Sequence, residues 1–180
     1  MKELIDKAIT GNINAYRELV DMIKNELYYI AKIILYNNED IEDAIQECIY
    51  KAYMKLDTLR EKEKFKSWII QILINECKTI YNKNKRKNNF LKIIKKQDII
   101  EYSEKTISNV DDKLDFEILI SKLNKKERTT LTLYYKYNYN TADISEILNE
   151  NQSTVRSRLN RAEHKLEKLL KEGEKNESRK

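Results

Sequence analysis

The sequence predicts an all-α fold: two small helical domains joined by a flexible linker, the C-terminal one containing a helix-turn-helix. Three observations carry this. Among 180 residues there is no proline and there are only two glycines, so tight-turn and hairpin chemistry is nearly missing. Apolar residues recur every three to four positions over long stretches, the period of a helix with one buried face. That period lapses from about Lys83 to Asp112, where polar residues dominate, and then returns. The expected division is a domain over 1–88, a linker over 89–112, a second domain over 113–172 and a disordered tail over 173–180.

Leu4, Ile5, Ala8 and Ile9 make a short opening helix, stopped near Gly11. A long helix follows, with Ala15, Leu19, Val20, Ile23, Leu27, Ile30, Ala31 and Ile34 at helical spacing. "YNNED" ends it and supplies cap chemistry for the next. In the third helix Ile41, Ala44, Ile45, Cys48, Ile49, Ala52, Tyr53 and Leu56 form one stripe of period 3.6. After the polar loop "DTLREKEK", a fourth helix carries Phe65, Trp68, Ile69, Ile72, Leu73 and Ile80. The second half restarts with Leu114, Ile118, Leu119 and Leu123, then "NKKERTTLTLYYKY", then "TADISEIL".

The final helix opens in "ENQSTVRSRLNRAEHKLEKLL". Val155, Leu159, Ala162, Leu166 and Leu169/Leu170 line its inner side. Opposite lie Ser153, Ser157, Asn160, Arg161 and His164, flanked by Arg156, Arg158 and Lys165. Asn151 is a natural N-cap, and Asn149 suits the left-handed conformation that a tight turn needs. A short helix, a three-residue turn and a longer helix with a polar, basic outer side have helix-turn-helix spacing. Such a helix suits the DNA major groove, where Arg pairs with guanine and Asn with adenine. An ordinary helical hairpin with a solvated face has the same pattern.

Charge is blocky. Residues 39–47, "EDIEDAIQE", hold five acids and no base, whereas residues 78–96 hold eight bases and no acid. With His164 the only histidine and no glycine-rich phosphate loop, familiar enzyme chemistry lacks its residues. No catalytic residue, metal site, cofactor or small-molecule substrate is expected. Cys48 and Cys77 fall on apolar faces and read as buried free thiols. "MKELIDKAIT" is not a signal peptide, and no apolar run is long enough to insert in a membrane, so a cytoplasmic protein is expected.

The segment from "GNINAYRELVDMIKNEL" through "NNEDIEDAIQECIYKAYMKL" to "FKSWIIQILINECKTIYNKNKRK" closely resembles the promoter-melting domain of bacterial ECF sigma factors, small RNA polymerase subunits. "LISKLNKKERTTLTLYYKYNYNTADISEILNENQSTVRSRLNRAEHKLEKL" resembles their C-terminal domain. The resemblance implies core RNA polymerase, promoter DNA and an anti-sigma protein as partners. It implies that Asp40, Glu42, Asp43, Gln46 and Glu47 face the β′ coiled-coil of the polymerase. "LREKEKF" and the following helix would read the melted −10 element, with Asn75 on a base and Lys66, Ser67, Gln71 and Lys78 lining the same face. Trp68 reads as core packing rather than a stacking platform. Lys83, Lys85, Arg86 and Lys87 would meet duplex backbone upstream.

In the second domain the resemblance implies Ser153, Thr154, Arg156, Ser157, Asn160 and Arg161 as readers of the −35 element, with Arg158 and Lys165 on its phosphates. Part of "LTLYYKYNY" would meet the β flap; Tyr134, Tyr135, Tyr137 and Tyr139 fit a core equally well. Three departures stand out: Asn149 replaces the turn glycine, Glu150 stands where an apolar staple residue is commoner, and "NYN" replaces a glycine-containing turn before the first motif helix. The competing readings are a stand-alone helix-turn-helix regulator, which needs a dimerisation or effector domain, and a sigma-like decoy that binds polymerase without DNA.

Overall fold

A computed structural model describes residues 1–94 and 120–177, with side chains at 1–87 and 120–171. The rest of the expected linker, the start of the expected second domain with Leu114, Ile118 and Leu119, and residues 178–180 of the tail lie outside the described residues. Among the described residues every regular element is helical. They are α1 (Lys2–Ile9), α2 (Ile13–Ile34), α3 (Asn38–Met54), 3₁₀ turns at Leu56–Thr58 and Lys62–Lys64, α4 (Phe65–Ile94), α5 (Lys125–Leu131) with a π turn at Thr132–Lys136, α6 (Thr141–Leu148) and α7 (Gln152–Glu177). The chain forms two compact units, one holding α1 to α3, α4 as far as Lys87 and residues 145–150, the other holding α5 and α7.

In the first unit α1 stops where the sequence places its glycine. Gly11 has φ +92, Gly11 N–H donates to Ala8 O and Asn12 N–H donates to Lys7 O. This is a Schellman stop, which needs a left-handed residue after the helix. Asn12 then caps α2, its Oδ1 accepting from the N–H groups of Asn14 and Ala15 at 3.1 Å. Asn37 does the same for α3 through Glu39 N–H.

The predicted stripe of α2 is the buried one, except that Val20 is half-buried and Tyr16 and Ile33 join the core. The Tyr16 hydroxyl donates to Ile49 O at 2.6 Å, and its ring stacks at a tilt on Tyr53, so α2 and α3 are locked by one side chain. Cys48 and Cys77 are buried free thiols, the Cys48 thiol donating to Ile69 O. Helix α4 buries a wider arc than predicted, because Ile70 and Ile74 are buried alongside Phe65, Ile69, Leu73 and Cys77. It also runs on through Lys83 to Ile94, past the expected domain end. Lys, Arg and Asn lower apolar periodicity without stopping a helix, and neither Gly nor Pro is there to do so.

The second unit has a small core of Ile120, Leu123, Leu131, Leu159 and Ala162, with Tyr134 and Leu166 packed on it. Asn124 and Glu127 form a capping box at the start of α5. Asn140 accepts from Ala142 and Asp143 N–H at the start of α6. Asn149 takes φ +53, with its N–H on Glu146 O and Glu150 N–H on Ser145 O, again a Schellman stop. Helix α7 carries into the expected tail as far as Glu177.

Candidate functional site

The first surface is the outward side of α3. At about 100° per residue, Glu39, Asp43, Gln46, Glu47, Tyr50 and Met54 share the side opposite Ile41, Cys48 and Ala52. All six are exposed, as is Glu42 at the edge. Asp40 is set apart: it is half-buried and accepts from Asn84 of α4 at 2.8 Å. Lys51 lies between two acids, 2.8 Å from Glu76 of α4 and 3.1 Å from Glu47. Those hydrogen bonds, Glu76 first, hold its ammonium above the ordinary lysine range. Glu47 is therefore a shared charge, whereas Glu39, Glu42 and Asp43 lead the line.

Tyr50 and Met54 were not singled out from the sequence. Each is 60 % exposed and continues the acidic line toward the C-terminal end of α3. The signal was present in their helical phase, but an apolar residue in an apolar-rich helix reads first as core. On a line of this kind charge can set the register of a bound helix and an exposed aromatic can anchor it.

The second surface is on α4. Ser67, Gln71, Asn75 and Lys78 recur at steps of three and four and fall on one line, with Asn75 and Lys78 exposed. The Ser67 hydroxyl donates to Lys64 O and the Thr79 hydroxyl donates to the Asn75 backbone carbonyl, and the Asn75 side chain is exposed. Lys66 does not share that face. It sits about 100° from Ser67 around the helix, in phase with Ile70 and Leu73, and is exposed only because it lies in the first turn. Trp68 is half-buried against Phe65, its ring centroid 6.2 Å away. The basic run is spread round the helix: Lys85 and Arg86 follow the line of Asn75, while Lys83 and Lys87 point to other sides, all four exposed.

The third surface is on α7. Ser153, Thr154, Arg156, Ser157, Asn160, Arg161 and Lys165 are all exposed. Arg161 Nε donates to Ser157 O and the Ser157 hydroxyl donates to Ser153 O, so these groups are already ordered along the helix. Two residues expected on phosphates are placed otherwise. Arg158 is 7 % exposed and its guanidinium donates to Thr130 Oγ1 at 3.4 Å. The reason is phase, since three residues after Val155 is only about 60° from the buried stripe. Lys165 donates to Glu127 Oε1 at 2.7 Å, clamping α7 to α5. Gln152 was missed: its side-chain amide hydrogen-bonds the Thr141 hydroxyl at 3.1 Å, and with its oxygen turned to that side it also accepts from Arg156 at 3.3 Å, at the N-terminus of α7. Of the tyrosines left open, Tyr134 packs on the core, Tyr137 and Tyr139 are half-buried and Tyr135 is exposed. Glu163 accepts from the Tyr135 hydroxyl at 2.6 Å, pushing its pKa up to about 12.

Among the described residues no helix is long and apolar enough to cross a membrane. No group of three or more His, Cys, Asp or Glu residues there could hold a metal.

Two protein families match the chain, Sigma-70 region 2 over residues 19–87 and Sigma-70, region 4 over residues 119–168. The chain is 28 % identical over 184 residues to the ECF RNA polymerase sigma factor SigW of Bacillus subtilis, covering 96 % of this chain and 97 % of that protein. It is 28 % identical to SigV of the same organism, over 77 % of this chain and 81 % of that one. A solved structure of the sigma factor RpoE with the anti-sigma factor NepR, from Bartonella quintana, has a similar fold: TM-score 0.66 at 22 % identity, over 87 % of this chain and 96 % of that chain. CnrH, solved with the cytosolic domain of CnrY, is similar at TM-score 0.66 and 20 % identity, over 93 % and 95 %.

Proposed function

Because the chain belongs to the ECF sigma factors of bacterial RNA polymerase, we propose that its three surfaces divide the work of promoter-specific initiation. The protein is an alternative sigma factor that binds core polymerase and directs it to promoters. Domains over 1–88 and 113–172 carry the two halves of that task. The outward side of α3, with Glu42, Asp43, Gln46, Glu47, Tyr50 and Met54, meets the β′ coiled-coil. Asp40 acts from its edge through the bond with Asn84.

The loop between α3 and α4, with Ser67, Gln71, Asn75 and Lys78, reads the melted −10 strand as flipped, single-stranded bases. Lys85 and Arg86 follow on the upstream duplex, with Lys83 and Lys87 reaching backbone from the other sides. Ser153, Thr154, Arg156, Ser157, Asn160 and Arg161 of α7 enter the −35 major groove, base edges giving the specificity. Lys66 is left as a solvated cation, and Arg158 as part of the fold. The exposed Tyr135 side meets the β flap. RNA synthesis belongs to the polymerase, so this chain does no chemistry of its own and works in the cytoplasm. An anti-sigma protein covering these surfaces is the expected regulator, as RpoE was solved with NepR.

The observation that carries this reading is the division of α3 into a buried apolar stripe and an exposed acidic-to-apolar line. Tyr50 and Met54 add to that line apolar area that a partner helix would bury. The test is run-off transcription with purified core polymerase on the promoter of the protein's own operon. Transcripts should depend on the protein and vanish with the Asp43→Lys/Glu47→Lys variant. Duplex binding without core, and no transcripts, would move the reading to a stand-alone regulator.

A further inference from the structure

Helix α1 precedes the segment matched by the region 2 family, which begins at residue 19. It is nonetheless built into the unit: Ile5 and Ala8 are buried. It packs on α2 and also on both 3₁₀ turns of the loop between α3 and α4. Two ion pairs join it to the second turn, Lys2 with Glu63 and Asp6 with Lys62. Lys2 holds the Glu63 carboxyl below its ordinary range.

The pairs are crossed in sign. A cation of α1 faces an acid of the turn, and an acid of α1 faces a cation of the turn, whose partners are adjacent in sequence. Sliding the turn by one residue would set like charges against each other. Single surface pairs contribute little, but a crossed set selects one register against its neighbours. The turn so held leads directly into Phe65 and the line of Ser67, Gln71 and Asn75 on α4.

We infer that α1 is a positioning element for promoter reading: its crossed ion pairs to Lys62 and Glu63 hold the loop before α4 in the register that receives the melted −10 strand. This rests on the reading of that loop given above. Core binding by α3 does not depend on it, so the two activities are separable.

The test uses holoenzyme assembled from core polymerase and the full chain. The probe is a fluorescent single-stranded DNA copying the non-template −10 segment of the promoter mapped by run-off transcription. Three variants keep net charge constant: Lys2→Glu/Asp6→Lys on α1, Lys62→Glu/Glu63→Lys on the turn, and all four together. Each pairwise swap is expected to weaken binding of the probe about fivefold, the worth of two surface pairs. The four-residue variant should return to within about twofold of the unaltered protein by the same measure, and core affinity should stay unchanged throughout. An α1 swap that binds the probe normally overturns the inference, as does a turn swap that the α1 swap fails to rescue. Arg60→Ala, in the same loop, separates the two readings. If it weakens probe binding while the α1 swap does not, the loop reading stands and the brace falls; if neither does, both fall.

Discussion

Lys165 of α7 reaches Glu127 of α5 across 2.7 Å, and Glu127 is only 5 % exposed. The same carboxylate accepts from Asn124 N–H through its other oxygen. One side chain thus closes the capping box of α5 and clamps the α7 helix against it. Replacing Lys165 by alanine leaves a buried carboxylate short of a partner. We expect a loss of about 1–2 kcal/mol in the second unit, less than for a fully buried pair because the lysine is half in solvent. Urea denaturation of the full chain, followed by amide exchange in α5 and α7, reads this. Unchanged stability with weakened promoter binding would return Lys165 to a phosphate.

Arg158 and Arg161 differ in what they face. Arg161→Ala should cost about 1–3 kcal/mol of holoenzyme affinity for a −35 duplex and relax preference at one base position. Arg158→Ala should instead lower the melting temperature, with duplex affinity unchanged per folded molecule. A binding titration of both variants, corrected for folded fraction, separates the roles. Equal losses of affinity from both would contradict the burial of Arg158.

Tyr50 and Met54 lie in solvent, so their removal should leave the fold intact. Tyr50→Ala is expected to weaken core polymerase binding by at least about 2 kcal/mol if it is the central aromatic anchor. Met54→Ala should have a smaller effect in the same direction. Fluorescence anisotropy against core polymerase measures both. Affinity within twofold of the unaltered protein for the double variant would confine the interface to the acids.

Asn149 holds φ +53 in the stop of α6. Asn149→Val should destabilise by about 1–2 kcal/mol, because a β-branched residue resists the left-handed region. Asn149→Gly should be neutral to within about 0.5 kcal/mol. Denaturation midpoints of the two variants test this directly, and equal midpoints would show that the turn re-forms another way.

The buried Cys48 thiol and Tyr16 phenol bear on pH. Burial, the leading cause in each, raises both above their ordinary values of 9.0 and 10.0. In the folded state they stay protonated where the unfolded chain releases a proton. Stability is therefore full below about pH 9 and falls as pH rises, by about 1.4 kcal/mol per unit for each group once its unfolded form ionises. Urea midpoints between pH 8 and 11 should fall with increasing slope, first from Cys48 and then from Tyr16. A Cys48→Ala variant should lose the earlier part of that slope. A flat profile to pH 11 would mean that these groups ionise within the fold.

Most of the fold was legible because helical period is a local property. The stripes of α2 and α3, the glycine stop after α1 and the asparagine turn before α7 all follow from residues within one or two turns of each other. The end of α4 was not legible, since Lys83 to Asn89 lose apolar rhythm without losing helix propensity. Sites divided along the same line. The exposure of the α3 acids Glu42, Asp43 and Glu47 and of Arg156 and Arg161 on α7 follows from charge and helical phase. The resemblance put Lys66 on one face with Ser67 and Arg158 on a phosphate, whereas helical phase, which the sequence also holds, sets Lys66 about 100° from Ser67 and turns Arg158 toward the core. Glu127 as the partner of Lys165 was not legible, since 38 positions separate them. The half-burial of Asp40 against Asn84 has the same cause.

The withdrawal of Arg158 into the core has a consequence for how tightly the protein's grip on duplex DNA depends on its ionic surroundings. Each phosphate neutralised by a side chain sets free condensed counterions and adds about 0.9 to the steepness of log affinity against log salt. Tallying the cations of α7 from Arg156 to Lys165 would credit the helix with Arg158 and Lys165 as well as Arg156 and Arg161. With Arg158 inside and Lys165 occupied by Glu127, the slope should be shallower by about 2 than that tally gives. The −35 contact would then lean on hydrogen bonds to base edges, and would persist at ionic strengths that strip a binder holding on by charge alone.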